Sequence, residues 1–306
     1  MVWQDAKFRA SDGATLHVYR WPEAAAPLRG MVAIAHGMAE HAARYDAFAR
    51  YLNSRGYLVE THDHRGHGRT ATNAEELGFF AEQDGWKRVM ADLAERLADM
   101  RTRQPDLQLA LFGHSMGSFM AQQVLYQAPQ HVAAAILSGS NGKPLPIAAL
   151  GRYLARLERL RLGRHGRSNL LTRMSFGEFN RRFRPNRTAF DWLSRDAAQV
   201  DAYIADPLCG FVCTTQMWID LLDALPVLSK PDNRAKIPEA MPVLLLSGDA
   251  DPVGVNLSEL ASGYDKVGME RVSVKLYDDG RHEMLNEINR EEVFADVANW
   301  LDAVLA

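Results

Sequence analysis

Apolar and polar positions change rhythm several times along the chain. Residues 6–10 and 14–21 alternate around Asp12-Gly13, which predicts a β-hairpin whose turn uses the positive φ angles that such a pair tolerates. Residues 30–36 are apolar without alternation, as expected of a strand covered by helices on both faces. Tyr45, Phe48, Ala49 and Leu52 then recur at helical spacing, and Gly56 marks a stop. A strand at 57–62, a helix over 84–103, a strand at 108–113, a helix over 116–127 and a strand at 132–138 follow. After an interruption the same rhythm returns with a strand at 242–247, a helix near 255–267, a strand at 271–277 and a helix over 290–305. Alternating strands and helices of this kind predict a mostly parallel, doubly wound α/β sheet.

The interruption, residues 144–237, reads as helical and Arg-rich, with no convincing strand. An insertion between two halves of one sheet accounts for it better than two sequential domains. The expected organisation is an α/β core from 1–143 and 238–306, with a helical cap over 144–237.

Composition narrows the class. With 35 Lys plus Arg against 38 Asp plus Glu, the chain is not built as a whole to hold nucleic acid. Two cysteines, Cys209 and Cys213, cannot form a disulfide framework, which fits a reducing cytosol. The first residues lack the charged start, apolar run and cleavage site of a secretory signal. No apolar run approaches the roughly 18 residues needed to cross a bilayer.

The strongest chemical signal is Gly113-His114-Ser115-Met116-Gly117, placed between a predicted strand and a predicted helix. A sharp strand-turn-helix there would lift the Ser115 hydroxyl above the sheet, with the helix start facing developing negative charge. Serine needs a base oriented by a third group. Downstream, His282 follows the strand at 271–277, and Asp249 and Asp251 both follow the strand at 242–247. These positions are carboxyl ends of strands, where ligands bind in open α/β sheets. His282 is the expected general base, and either aspartate can orient it. The expected oxyanion donors are the backbone N–H groups of Met116 and of Met38, in the loop after the strand at 30–36.

Together with His36-Gly37-Met38-Ala39-Glu40-His41, Tyr45, His62-Asp63-His64-Arg65-Gly66-His67-Gly68, Gly248-Asp249-Ala250-Asp251-Pro252-Val253 and Gly280-Arg281-His282-Glu283, the Ser115 motif closely resembles those of monoacylglycerol lipases and related bacterial lysophospholipase-like hydrolases of the α/β-hydrolase fold. The resemblance runs from about residue 12 to the end and is loose over the insertion. It implies a Ser115, Asp251 and His282 triad, with Asp251 rather than Asp249 as the acid, and Met38 and Met116 as oxyanion donors. It also implies an acyl-binding tunnel under a mobile cap. One departure is Ser118, where many relatives carry glycine, and little effect on the turn is expected from it.

The expected reaction is hydrolysis of a small acyl ester through a Ser115 acyl-enzyme, without cofactor or metal. Acyltransferases and aminopeptidases use the same constellation, and a noncatalytic, membrane-associated binding module is the alternative of another class. His62, His64 and His67 beside Asp63 offer metal-ligand chemistry, but a loop shaped by Asp63 and Arg65 explains them more simply. In the insertion, Ile147, Leu150, Leu154 and Leu157 form a helical stripe apart from Arg152, Arg156 and Arg159. That pattern suits a cap helix covering the site or an interfacial helix touching a membrane. Phe211, Met217, Trp218, Leu221 and Leu222 are candidate lining residues for an acyl pocket.

Overall fold

The computed structural model describes residues 3–143 and 146–305, with Pro146 and Ile147 as backbone only. Strands β1 (Gln4–Arg9), β2 (Thr15–Trp21) and β3 (Gly30–Ala35) precede helix α1 (Asp46–Ser54) and strand β4 (Tyr57–His62). Helix α2 (Gly85–Arg103), strand β5 (Leu109–His114), helix α3 (Met116–Gln127) and strand β6 (Ala134–Ser138) follow. Next come helices α4 (Pro146–Leu162) and α5 (Asn169–Thr172), a π-helical turn (Arg173–Gly177), and helices α6 (Glu178–Arg181), α7 (Ala197–Ala205), α8 (Thr215–Leu228) and α9 (Pro231–Arg234). Strand β7 (Val243–Gly248), helix α10 (Leu257–Asp265), strand β8 (Val272–Tyr277) and helix α11 (Arg290–Val304) complete the described chain.

The strands form one eight-stranded sheet in the order β1-β2-β4-β3-β5-β6-β7-β8. The pairings of β2 with β1 and β4 are antiparallel and all others are parallel. Strands β3, β5, β6 and β7 are buried along their whole length, which is why their sequences are apolar without alternation. Two apolar layers sandwich the sheet: Leu93, Leu97, Met120 and Val124 on one face, and Phe48, Leu52, Val297 and Leu301 on the other. Strand order reverses at β3, which lies between β4 and β5. Loops leaving the carboxyl ends of β3 and β5 therefore diverge and open a crevice, the usual ligand position in such sheets.

Three expectations change in detail. The first strand starts and ends earlier than its alternation suggested. The hairpin turn has Gly13 alone at positive φ (91°), with Ala10 accepting from the Gly13 N–H and donating to Ala14. Asp12 instead accepts the Ala14 N–H on its side chain, so the connection is a three-residue loop closed by a left-handed glycine rather than a two-residue turn. On α4 the apolar stripe is split: Leu154 packs inward with Ala155, whereas Leu150 and Leu157 are exposed beside Tyr153 and Leu160. The Ile147 side chain and the Pro144 boundary of the insertion lie outside the described residues.

Candidate active site

Ser115 forms the turn between β5 and α3 at φ 51° and ψ −117°, a conformation costing an L-residue on the order of 1–3 kcal/mol. Its surroundings impose that geometry. The Ser115 N–H donates to the Ser138 carbonyl at the end of β6 (2.9 Å), and its carbonyl accepts from the Ser118 and Phe119 N–H groups (2.9 and 3.3 Å). A side chain at Gly117 would collide with the Ala35 carbonyl, so glycine lets α3 start against β3. Ser118, the departure from the usual glycine, donates its hydroxyl to the Ser115 carbonyl (2.6 Å) and lies 2.9 Å from Ser140 Oγ. It fastens the turn.

The structure brings Asp251, not Asp249, to His282. Nδ1 of His282 donates to Asp251 Oδ1 at 3.0 Å, which leaves Nε2 with the free lone pair. Asp251 also accepts from the Ser247 hydroxyl (2.7 Å) and the Val253 N–H (2.8 Å), whereas Asp249 is exposed. Burial alone would raise the Asp251 pKa, but the neighbouring imidazole and the hydrogen bonds hold it below the ordinary carboxylate value. Burial would lower His282, yet the Asp251 carboxylate outweighs it and raises His282 above an ordinary histidine. The rings of His114 and Trp192 flank His282, with centres 4.7 and 4.9 Å away.

The loop after β3 is fixed from several sides around Met38. Ala39, at φ 57°, donates its N–H to His67 Nε2 (3.3 Å), and its carbonyl accepts from the Tyr203 hydroxyl (2.8 Å) and the Gly210 N–H (2.9 Å). His67 donates from Nδ1 to the Arg65 carbonyl (2.9 Å). His36 repeats the pattern, donating to the Gly37 carbonyl (2.8 Å) and accepting the His64 N–H (3.0 Å). Both rings must be neutral to accept at Nε2, and burial keeps them so, lowering His67 to about 4 and His36 well below its ordinary value. Glu40 accepts from the Gly37 N–H (2.5 Å), the Tyr45 hydroxyl (2.9 Å) and Arg44 (2.6 Å). Arg44 also grips Glu283, the residue after His282, through two bonds of 2.7 and 2.6 Å. One buried cation thus ties the Met38 loop to the His282 loop.

Of the histidine-rich loop, Asp63 shapes the turn as expected, accepting from the Tyr19 hydroxyl and from the Ala42 and Arg69 N–H groups. Arg65 instead pairs with Asp92 on α2 and with Asp12. Among the described residues, the group of His, Cys and acidic side chains close enough to share an ion is His41, Asp206 and Cys209, away from the histidines the sequence suggested.

Ser115, Met38 and Met116 border one cavity enclosing about 1010 Å³, solvent mouth included. Among the described residues, no hydrogen bond engages the Met38 or Met116 N–H. Apart from Asn141, Ser115 and Ser175, the lining side chains are apolar or glycine. Of the pocket residues expected from sequence, Trp218, Leu221 and Leu222 line it; Phe211 packs near His67 (5.4 Å) and Met217 is core. Sequence reading missed Phe176, Phe179 and Trp192, an aromatic cluster with ring centres 5.2–6.4 Å apart that places Trp192 over His282. No local motif marks them.

Comparison with known proteins places the chain. A family model described as serine aminopeptidase, S33, matches residues 26–289. The monoacylglycerol lipase of Mycolicibacterium smegmatis is 30% identical over 289 residues, covering 89% of this chain and 88% of the relative. The human monoglyceride lipase is 27% identical over 299 residues, covering 95% of this chain and 88% of the relative. Among solved structures, a thermostable carboxyl esterase from Bacillus coagulans superposes with a TM-score of 0.90 at 24% identity, covering all of both chains. A soluble variant of the monoglyceride lipase of Saccharomyces cerevisiae gives 0.76 at 20% identity, covering 99% of this chain and 95% of the other. The chain therefore belongs to the S33 serine hydrolase family of α/β-hydrolases, in its monoacylglycerol lipase-like branch, and is an ester hydrolase.

Proposed function

We propose that the substrate is an ester of a single long acyl chain, of the monoacylglycerol or lysophospholipid class, hydrolysed by Ser115, His282 and Asp251. Ser115 Oγ attacks the ester carbonyl while His282 Nε2 takes its proton, and the Met38 and Met116 N–H groups receive the carbonyl oxygen as it gains charge. Collapse of the tetrahedral intermediate breaks the bond to the alcohol, whose oxygen takes the proton from His282. Water, deprotonated by the same nitrogen, then attacks the acyl-enzyme; the acid leaves and Ser115 regains its proton.

The observation that carries this reading is the apolar cavity converging on Ser115. Hydrocarbon gains roughly 0.8 kcal/mol per buried CH₂, so such a wall selects chain length. Among the described residues, its lining includes no Asp or Glu to receive the free ammonium of an aminopeptidase substrate. The decisive experiment is a turnover panel of p-nitrophenyl esters of rising chain length beside a monoacylglycerol, a lysophospholipid and an aminoacyl amide. The expected result is kcat/KM rising with chain length and little amide turnover; preference for the amide or for acetyl esters would overturn the reading.

Residues 144–237 would act as the cap, because Leu171, Phe176, Trp218 and Leu222 from it close the cavity. The outer face of α4 supports membrane contact: Leu150, Tyr153, Leu157 and Leu160 form an exposed apolar stripe, with Tyr153 73% and Leu160 83% exposed. The basic character anticipated for this segment is compensated only in part: Arg152 and Arg156 share Asp223, Arg161 pairs with Glu158 and Arg187 with Asp201, while Arg159, Arg167, Arg173, Arg182 and Arg184 make no ion pair among the described residues. Binding to anionic vesicles should therefore combine the stripe with a salt-sensitive contribution from the unpaired arginines. With phosphatidylglycerol vesicles free of phosphatidic acid, flotation weakened in Leu157→Ser/Leu160→Ser is the expected outcome; no flotation of the unaltered protein would remove the contact.

A further inference from the structure

A guanidinium without a carboxylate sits at the root of the inserted segment. Arg234, at the end of α9, is 8% exposed and donates from Nη2 to the Gly142 carbonyl (2.6 Å), just after β6. It therefore joins the chain leaving the sheet to the chain returning to it. Its Nε is buried with no hydrogen-bond partner among the described residues. No Asp or Glu among them lies within ion-pair distance of it, and the adjacent residues 144–147 carry no acidic side chain. By contrast, buried or half-buried Arg44, Arg65 and Arg96 each contact carboxylates. The Tyr264 ring lies 5.7 Å from the Arg234 guanidinium carbon, and a side chain at Gly263 would collide with Nη1. The guanidinium is held in place by neutral groups.

Beside it opens a groove enclosing about 1420 Å³, solvent mouth included, lined by Lys143, Lys266, Ser229, Ser258 and Ser262 as well as Arg234. Among the described residues, Glu259 is its one acidic lining residue and neither lysine is in an ion pair. Three cations facing a single carboxylate leave an excess of positive charge, and burying an uncompensated cation is costly unless a counter-charge reaches it. Burial lowers the Arg234 pKa, as expected without such a partner.

We infer that this groove binds a phosphate-bearing ligand, with Arg234, Lys143 and Lys266 meeting the phosphate charge and the serine hydroxyls meeting its remaining oxygens. Phosphate suits the site better than a carboxylate because it offers more acceptor oxygens and up to two charges to a donor set of this size. The groove is wider than a bare ion needs, so the phosphate would be a substituent on a larger molecule, either a soluble phosphorylated metabolite or a lipid headgroup. Occupancy would brace both roots of the insertion.

The test is calorimetric titration of the full chain with inorganic phosphate and with glycerol 3-phosphate, at ionic strength fixed by chloride, beside flotation with phosphatidic acid vesicles. The variants are Lys143→Gln/Lys266→Gln, whose side chains are exposed, and Arg234→Lys. Saturable binding that weakens about tenfold in the double variant, the equivalent of one charge-assisted hydrogen bond, is expected. Binding of glycerol 3-phosphate without vesicles assigns a soluble ligand; vesicle binding lost in the double variant but kept in Leu157→Ser/Leu160→Ser assigns a headgroup. Absence of saturable binding to every probe, or equal affinity in the unaltered protein and in a double variant that still hydrolyses a soluble ester, overturns the proposal.

Discussion

On one side of the cavity, Ser115, Asp251, His282 and the Met38 loop stand at the carboxyl ends of β5, β7, β8 and β3, each fixed by backbone bonds and buried polar partners. On the other side, Leu171, Phe176, Trp192, Trp218 and Leu222 come from the insertion and meet the cavity through apolar and aromatic contacts. The first side specifies positions to within a hydrogen bond; the second specifies a volume. Chemistry should therefore fail sharply when the first is altered, and selectivity should drift when the second is.

The largest effect expected on the chemical side is from Asp251→Asn, about 10⁴-fold in kcat, against a few-fold at most for exposed Asp249→Asn. Comparable losses in steady-state turnover by both would break the distinction. Next, Arg44→Met leaves Glu40 and Glu283 buried without their cation, at a cost of about 3–5 kcal/mol. Denaturant unfolding should show it, and an unchanged midpoint would mean that the two loops hold each other without Arg44. Tyr203→Phe removes one donor to the Ala39 carbonyl and probes the junction between the two sides. A fall in kcat of about tenfold, one hydrogen bond's worth, with KM for a short soluble ester unchanged, places the loss in the Met38 loop; a change in KM alone places it in the cavity wall. Trp218→Ala should alter mainly the dependence of KM on chain length. Smallest is the pH response: His282 must be neutral to accept the Ser115 proton, and its pKa is raised, so kcat/KM should climb through a midpoint above about 6.5 and flatten at higher pH. A midpoint below that value would contradict the Asp251 contact.

The same division explains what the sequence could reveal. Buried parallel strands need continuous apolar runs, and a serine turn needs glycine at Gly117, so β3, β5, β7 and the Ser115 turn are written locally. The catalytic candidates follow strand ends in chain order, which made His282 readable and left Asp249 and Asp251 to be separated by resemblance. The wall depends on packing between distant helices. Arg152 finds Asp223 71 residues away, and Trp192 reaches His282 across the insertion. Nothing within a helical period marks such partners, so the sequence predicts one face for the α4 stripe although the structure turns Leu150 and Leu157 outward. Arg234 is invisible in the sequence for a related reason: its environment is defined by the absence of a nearby carboxylate among the described residues, which only the folded chain displays.

The most direct measurement is capture of the nucleophile. After incubation with a fluorophosphonate, intact mass followed by peptide mapping should show a single adduct on Ser115, and Ser115→Ala should gain none. An adduct on another residue, or equal labelling of the unaltered protein and Ser115→Ala, would contradict the assignment of Ser115.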